Sequence, residues 1–527
     1  MKPLIACFSH LCNLSYITGA EKLLLFLLRE LSHHYTCILI VPAEGMLSRQ
    51  AEALGIRCRV QPCPLFFEMV HPTAALCEQV ERAKGQPEWQ SITKLLHEIQ
   101  PDYVFVNTSV HILPAIAAKE LQIPVLWQIT ELIHNYPATE QAIQLIQRHA
   151  DAVIGISDTT LTPFHTYQYP FSSFHYKLPP SWHMESLEPA AWSYYRESLR
   201  MKVGVQESTC LIGYISSAIY AHKGLEHFIQ MGLALLSRYP AAHFLIAGEP
   251  YDQEYMDRCM KLVQYTGHMD RFHIMGFESK IQALYPAMDI VVIPSLGAEG
   301  FGMTALEGLV FGKPVVIYRS GGLSEIHAAT GNVRYGAESG DMKELLRIVE
   351  GLILQPTERQ LVGRHNARAA IEVYGIEAFR TRLHDLFYQF ILKRKDLFQA
   401  IQGSSNLVYI LDGEAYRPMR PDEQMRLHAN PPRRVVDSVL QALPKHPYRT
   451  KREEAGGMLK KAPASSSKKL VKKNKKNRSR SSRSKASGNK LFVRKGKQAT
   501  SKAKRTVRRS SSKSRPLMRS QRRSMKR

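Results

Sequence analysis

Residues 289–326 read DIVVIPSLGAEGFGMTALEGLVFGKPVVIYRSGGLSEI. In the run DIVVIP (289 to 294), Ile290 to Pro294 are continuously apolar and do not alternate with polar residues. That pattern suits a strand buried on both faces of a parallel sheet. The run stops at Pro294, a loop of small residues follows, and the apolar face of Met303, Leu306 and Val310 predicts a helix starting near Gly302. PVVIY (314 to 318) is then a second buried-type strand.

Working outward, the same alternation of short apolar strand, turn and longer amphipathic stretch runs from Lys2 to about Lys395. The other candidate strands are PLIACF (3 to 8), TCILIV (36 to 41), YVFV (103 to 106), PVLWQI (124 to 129), AVIGIS (152 to 157), CLIGYI (210 to 215), FLIAG (244 to 248) and FHIMG (272 to 276). The expected class is therefore α/β, with two Rossmann-like, doubly wound domains facing a cleft. The stretch LPPSWHMESLEPAAW, dense in proline, puts the boundary between residues 178 and 205. The expected domains are 1–190 and 205–395, the latter including its closing helices. Residues 396–450 would form a small module or linker, in which SNLVYILDGEAYRPM reads as a hairpin turning at Asp412-Gly413.

Composition bounds the function. With 527 residues, 44% of them apolar, the chain can bury more than one core, which excludes a single small module. The longest apolar run, Leu23 to Leu28, is far short of a membrane span, and the first sixteen residues lack the apolar stretch of a cleaved signal. A soluble or peripheral protein is expected. The eight cysteines lie within the first 260 residues, without C-x-x-C pairs or zinc spacing, and read as reduced thiols of a cytoplasmic protein. The net charge of +25 is unevenly placed: residues 451–527 hold 30 Lys and Arg against Glu453 and Glu454, a net of +28, leaving a near-neutral body. That tail, with fifteen serines and Phe492 as its one aromatic, is expected to be disordered and to bind polyanions such as nucleic acid, an anionic polymer, a membrane surface or a coat layer.

Chemistry is expected in the loops after the strands, because open parallel sheets bind ligands at the strands' carboxyl ends. After the first strand, Thr18-Gly19-Ala20 opens a helix with Glu21 in its first turn, where Gly19 would let a ligand approach backbone and the helix terminus favours an anion. After DIVVIP, Glu299 stands in the loop and Glu307 in the helix. Two carboxylates beside free N–H groups can grip hydroxyls while the N–H groups hold an anion, a combination suited to sugar and phosphate.

Together these residues resemble the retaining glycosyltransferases of family 4, with the two-Rossmann GT-B fold and the signature E-x7-E within PS-x3-EGFG-x4-E. Here it stands as Pro294-Ser295, Glu299-Gly300-Phe301-Gly302 and Glu307, followed by GKPVV (312 to 316) and Gly321-Gly322-x-x-Glu325. The likeness covers residues 3 to 393 and includes AHKG (221 to 224), Ala247-Gly248, MGF (275 to 277) and Ala150-Asp151 with Ser157. The resemblance implies that Lys223 and Gly19 bind the diphosphate of a nucleotide-sugar and that Glu307 holds the ribose. It further implies that Glu299 holds the sugar, helped by backbone at Phe301, Gly302, Met303 and Thr304, with Glu131 as a second catalytic carboxylate.

The pattern departs from the family in three places. Ser216-Ser217 stands where a second phosphate-binding Arg is common, with Arg319 a possible replacement. Thr18-Gly19 replaces Gly-Gly. Thr130 stands where a His often faces the sugar, with His111 and His134 nearby. The expected activity is sugar transfer from a nucleotide-sugar co-substrate to a carbohydrate, lipid-linked or wall-polymer acceptor, with retained configuration and with no metal or other cofactor, since no D-x-D motif ends a strand. The alternative is a spore-coat or surface-associated structural protein that keeps a degenerate transferase body behind its polyanion-binding tail. The enzyme would be cytoplasmic, peripheral to a membrane or to a spore or cell-surface layer.

Overall fold

The computed structural model describes residues 2–167, 173–400, 409–412 and 415–418. Strands β1 (Leu4–Phe8), β2 (Thr36–Val41), β3 (Arg57–Val60), β4 (Tyr103–Asn107), β5 (Val125–Ile129), β6 (Ala152–Gly155) and β7 (Phe174–Lys177) form one sheet in the order β3-β2-β1-β4-β5-β6-β7. A second sheet joins β8 (Leu211–Ile219), β9 (His243–Pro250), β10 (Phe272–Met275), β11 (Ile290–Ile293), β12 (Val315–Arg319) and β13 (Gly336–Glu338) in the order β10-β9-β8-β11-β12-β13. Every pair of neighbours in both sheets is parallel. Each sheet winds outward from an inner strand to one edge, then jumps back and winds to the other. The reversals lie between β1 and β4 and between β8 and β11, and each opens a crevice at the carboxyl ends of the strands. The expected α/β class, with two doubly wound domains, is the observed one.

Helices cover both faces of each sheet, so the central strands are apolar throughout. On one face of the first sheet Ala6, Phe8, Val104, Val106 and Trp127 pack against helices between residues 76 and 146, and on the other Ile5, Cys7, Tyr103, Phe105 and Leu126 pack under the helix Gly19–Leu31. The long helix Ile376–Ala400 closes the chain differently from the grouping of residues 205–395 with the second domain. Its Phe379, Leu383, Leu386, Phe387 and Phe390 enter the core of the first sheet, and Phe387 stacks on Tyr35 at 4.9 Å. Beneath it, buried Glu30 accepts from Arg380 Nε at 2.7 Å and pairs with His183 Nε2 at 2.7 Å, which ties helix, linker and first sheet at one carboxylate.

Residues 178–205 hold short 3-10 turns and the helix Trp192–Lys202. Its buried Arg200 donates to Ala287 O at 2.8 Å and Asp289 Oδ2 at 3.2 Å, fixing the linker to the foot of β11. The hairpin at Tyr409–Asp412 and Ala415–Pro418 is antiparallel and pairs Asp412 with Ala415, so Asp412 is a strand residue and does not belong to the turn. Residues 419–527, including the basic tail, lie outside the described residues.

Candidate functional site

The loops after β8 and β11 meet at the second switch point. β8 carries a bulge between Ile215 and Ala218, where Ser216 Oγ donates to Ala218 O at 2.7 Å and Ser217 faces solvent. The chain then tightens into the 3-10 turn Ala221–Lys223 and turns left-handed at Gly224 (φ 75°), where a Cβ would lie 1.9 Å from Pro294 O. Only glycine allows that approach. It seats Lys223 against the loop after β11: Lys223 Nζ donates to Glu299 Oε1 at 2.6 Å, and Ser295 Oγ donates to the same oxygen at 2.7 Å. In the free protein cation and carboxylate thus satisfy each other.

Glu299 is held from behind by the Gly321-Gly322 turn. Gly322 N donates to Glu299 O at 2.8 Å, and a side chain at Gly321 (φ 50°) would strike that oxygen. Gly302 (φ 106°) then starts the helix Met303–Val310, whose first-turn N–H groups at Met303 and Thr304 have no acceptor within the helix. One turn on, Glu307 Oε2 accepts from Tyr285 Oη at 2.8 Å. Burial pushes the Glu307 carboxyl up, partly offset by the Tyr285 bond and by the positive charge of Lys22. Lys22 belongs to the first domain and lies in the helix that Gly19 opens. The adjacent Leu23 packs on the second domain's apolar cluster with Phe301, Ala305 and Leu306, so this helix end lies directly across the cleft.

Thr18 caps that helix, with its N–H donating to Glu21 Oε2 at 2.8 Å. A Cβ at Gly19 would meet nothing within 4 Å. Packing therefore does not demand glycine there, and the space in front of its backbone stays open. Glu131, after β5, accepts from Ser109 N at 3.1 Å and Ser109 Oγ at 3.3 Å; burial pushes its carboxyl up against those bonds. A Cβ at Gly300 would lie 3.1 Å from Thr130 O, so the loops bearing Glu131 and Glu299 meet across the cleft.

The candidates gathered from sequence are therefore brought to one cleft: Lys223, Glu299 and the helix start with Glu307 on one wall, Gly19 and Glu131 on the other. Arg319 is not directed there, since its guanidinium donates to Glu338 Oε1 at 2.6 Å and to Val333 O. His134 stacks on His71 at 4.8 Å, away from any carboxylate partner, and His111 is buried behind β1 with its ring edge-on to Phe8. Sequence reasoning missed Tyr285, Ser109 and Lys22, none of which stands in a motif that marks it, and gave no role to Ser295, which stands in the quoted signature. It also gave no role to Glu325, which reaches the other domain to accept from Asp158 N at 2.8 Å and Thr159 N at 2.7 Å, at the start of the helix Asp158–Thr166.

Two facing Rossmann-type sheets with switch points opening on a common cleft define the GT-B class of fold. Solved structures of that kind superpose on the chain. Anabaena HepE in complex with UDP has a TM-score of 0.60 at 20% identity, covering 74% of this chain and 100% of its own. A glycosyltransferase from Rickettsia africae has a TM-score of 0.61 at 15% identity, covering 74% and 99%. Within the chain, residues 209–355 match the family model described as glycosyl transferases group 1.

Curated relatives match part of the chain. An uncharacterized glycosyltransferase of Methanocaldococcus jannaschii is 35% identical over 132 residues, 24% of this chain and 32% of its own length. A 2-deoxystreptamine glucosyltransferase of Streptomyces kanamyceticus is 30% identical over 165 residues, 30% of this chain and 41% of its own. The chain thus matches less than half the length of these relatives.

Proposed function

We propose that the chain is a glycosyltransferase that moves a sugar from a nucleotide-sugar to a hydroxyl acceptor with retention of configuration. One observation carries the reading: Lys223 and Glu299 are joined at 2.6 Å beside the open N–H groups of a helix that also bears Glu307. A donor entering there exchanges partners with the free protein. Its diphosphate takes Lys223 and the helix N–H groups, its sugar hydroxyls take Glu299, and its ribose hydroxyls take Glu307, whose carboxylate Tyr285 keeps in place. Because Lys223 and Glu299 release each other together, neither charge is left bare at any stage. The match of residues 209–355 to group 1 glycosyl transferases and the likeness to a UDP-bound fold support this assignment.

Departure of the diphosphate builds negative charge between the domains. Lys223, the N–H groups at Met303 and Thr304, and the helix end at Gly19 are fixed donors aimed at that charge, which is where preorganised electrostatics lower a barrier most. These donors do work that a divalent ion does in other transferases, and we propose a metal-independent reaction. In a front-face displacement the acceptor hydroxyl approaches on the side the diphosphate leaves, so the diphosphate oxygen is the base nearest to its proton. Glu131, made less acidic by burial, faces the acceptor. The tail 451–527 is proposed to hold the enzyme on a polyanion and to take no part in transfer.

The test is the anomeric signal of the product. Proton NMR of the reaction should show the new linkage with the donor's configuration from its first appearance. An inverted product would refute the assigned mechanism, and no product from any nucleotide-sugar would refute the activity.

A further inference from the structure

Six loops crown the carboxyl edge of the first sheet: residues 9–18, 42–45, 61–75, 108–111, 130–138 and 156–157. They contain no Lys or Arg at all. Hydrogen bonds tie neighbouring segments of this edge together. Met46 N donates to Asn13 O at 2.7 Å, Phe66 N to Val110 O at 2.9 Å, His134 N to Val70 O at 3.0 Å, and Ser109 N to Glu131 Oε2 at 3.1 Å. Its acidic groups are Glu44, Glu68 and Glu131. Its inner histidines carry no charge at neutral pH: burial pulls His10 down to about 4, and burial with the neighbouring His10 pulls His111 down to about 3. Two lysines beside these loops are engaged elsewhere. Lys177 pairs with Asp158 at 2.6 Å, and the charge of Lys22 reaches Glu307 on the donor wall.

Beneath the rim, four side chains more than nine-tenths buried hold a polar atom without a hydrogen-bond partner: His10 Nδ1, Asn107 Oδ1, Thr108 Oγ1 and His111 Nδ1. A buried polar atom left unpaired costs about 1–3 kcal/mol. The polar side chains at the ends of β1 and β4 suit a ligand rich in hydroxyl groups, each of which can donate or accept. Tyr16, Phe67 and Tyr136 stand exposed on the same loops and offer faces on which a sugar ring packs.

We infer that the acceptor bound on this rim is a polyhydroxyl compound without negative charge, neutral or amine-bearing, and that phosphorylated and carboxylated acceptors are turned away. The inference rests on the transferase reading. An acceptor phosphate would meet loops that carry three acidic residues and no Lys or Arg to pair it, and an unpaired desolvated anion is strongly disfavoured. An ammonium would find those carboxylates favourable.

The experiment offers the full chain an equimolar mixture of methyl glucoside, glucosamine, glucose 6-phosphate and glucuronic acid with each of a panel of nucleotide-sugars, and counts products by mass spectrometry. Release of nucleotide without acceptor is recorded in parallel. The neutral and amine members should give products at least about tenfold more abundant than the anionic pair, like charges across an interface being strongly disfavoured. The double variant Glu44→Lys, Glu68→Lys should raise the ratio of anionic to neutral products severalfold. Anionic products equal to or above the neutral ones would overturn the inference while leaving the transferase reading standing. So would a double variant with an unaltered product ratio. Absence of both nucleotide release and product would overturn the two together.

Discussion

Glu307 is the residue whose environment most constrains its role. It lies within a helix, bonded to Tyr285 and facing a cation of the other domain, and no structural partner requires its second oxygen. Glu307→Gln should weaken binding of the nucleoside diphosphate by about 1.5–3 kcal/mol, the worth of hydrogen bonds to a charged group, measured by calorimetry on the folded variant. Lys223→Ala should depress both donor affinity and kcat, and should also lower Tm, because it leaves Glu299 without its cation. Arg319→Ala should alter neither constant, since Arg319 is engaged by Glu338; a loss comparable to that of Lys223→Ala would place Arg319 on the phosphates.

Glu299 and Glu307 stood out in the sequence by their spacing within one loop and helix, and Lys223 by its place in the AHKG run. Tyr285 and Lys22 did not, since each meets Glu307 only through tertiary packing, between helix starts that are distant in the chain. Ser217, which stands where a second phosphate-binding Arg is common in the family the sequence resembles, lies at the β-bulge and faces solvent.

At the scale of elements, the Gly321–Glu325 turn joins chemistry to domain closure. Its first two residues buttress Glu299, and three positions on its carboxylate accepts the N–H groups that open the helix Asp158–Thr166 in the other domain. A carboxylate at a helix start is worth about 0.5–2 kcal/mol. Glu325→Ala should therefore loosen closure, raising amide exchange at residues 158–160 and increasing KM for the donor more than it lowers kcat. Unchanged exchange at those amides would separate Glu325 from closure.

Nine interior strands and the edge strand β10 were legible as apolar runs, which parallel sheets covered on both sides favour. β3, β7 and β13 were missed. RCRV, FHYK and GAE lie at or beside sheet edges, where partial exposure relaxes the demand for apolar residues, so their sequences do not stand out. The destination of the helix Ile376–Ala400 was equally hidden, because its apolar face would suit either sheet.

Across the whole molecule, that returning helix makes the first domain depend on the chain's last described helix. Its polar anchor is Glu30. Burial pushes this carboxyl up, but the bonds from His183 and Arg380 outweigh burial and hold it down to about 2, against an ordinary 4.5. A depressed carboxyl stabilises the fold above its unfolded value and loses that contribution as pH falls toward the folded one. The unfolding free energy from urea titrations should therefore decline between about pH 4.5 and 2 by up to about 3 kcal/mol. Glu30→Gln should remove most of that decline, and an equally steep fall in the variant would exclude this anchor as its source.

The account's central claim is that the cleft binds a nucleoside diphosphate through Lys223, the start of helix Met303–Val310 and Glu307. Thermal unfolding of the full chain with UDP, GDP, ADP and their sugars tests it most directly. One base should raise Tm by several degrees at a hundredfold excess over Kd, where binding contributes about 2.7 kcal/mol, and Glu307→Gln should lose most of that rise. An unmoved Tm with every nucleotide, or an undiminished rise in Glu307→Gln, would contradict the claim.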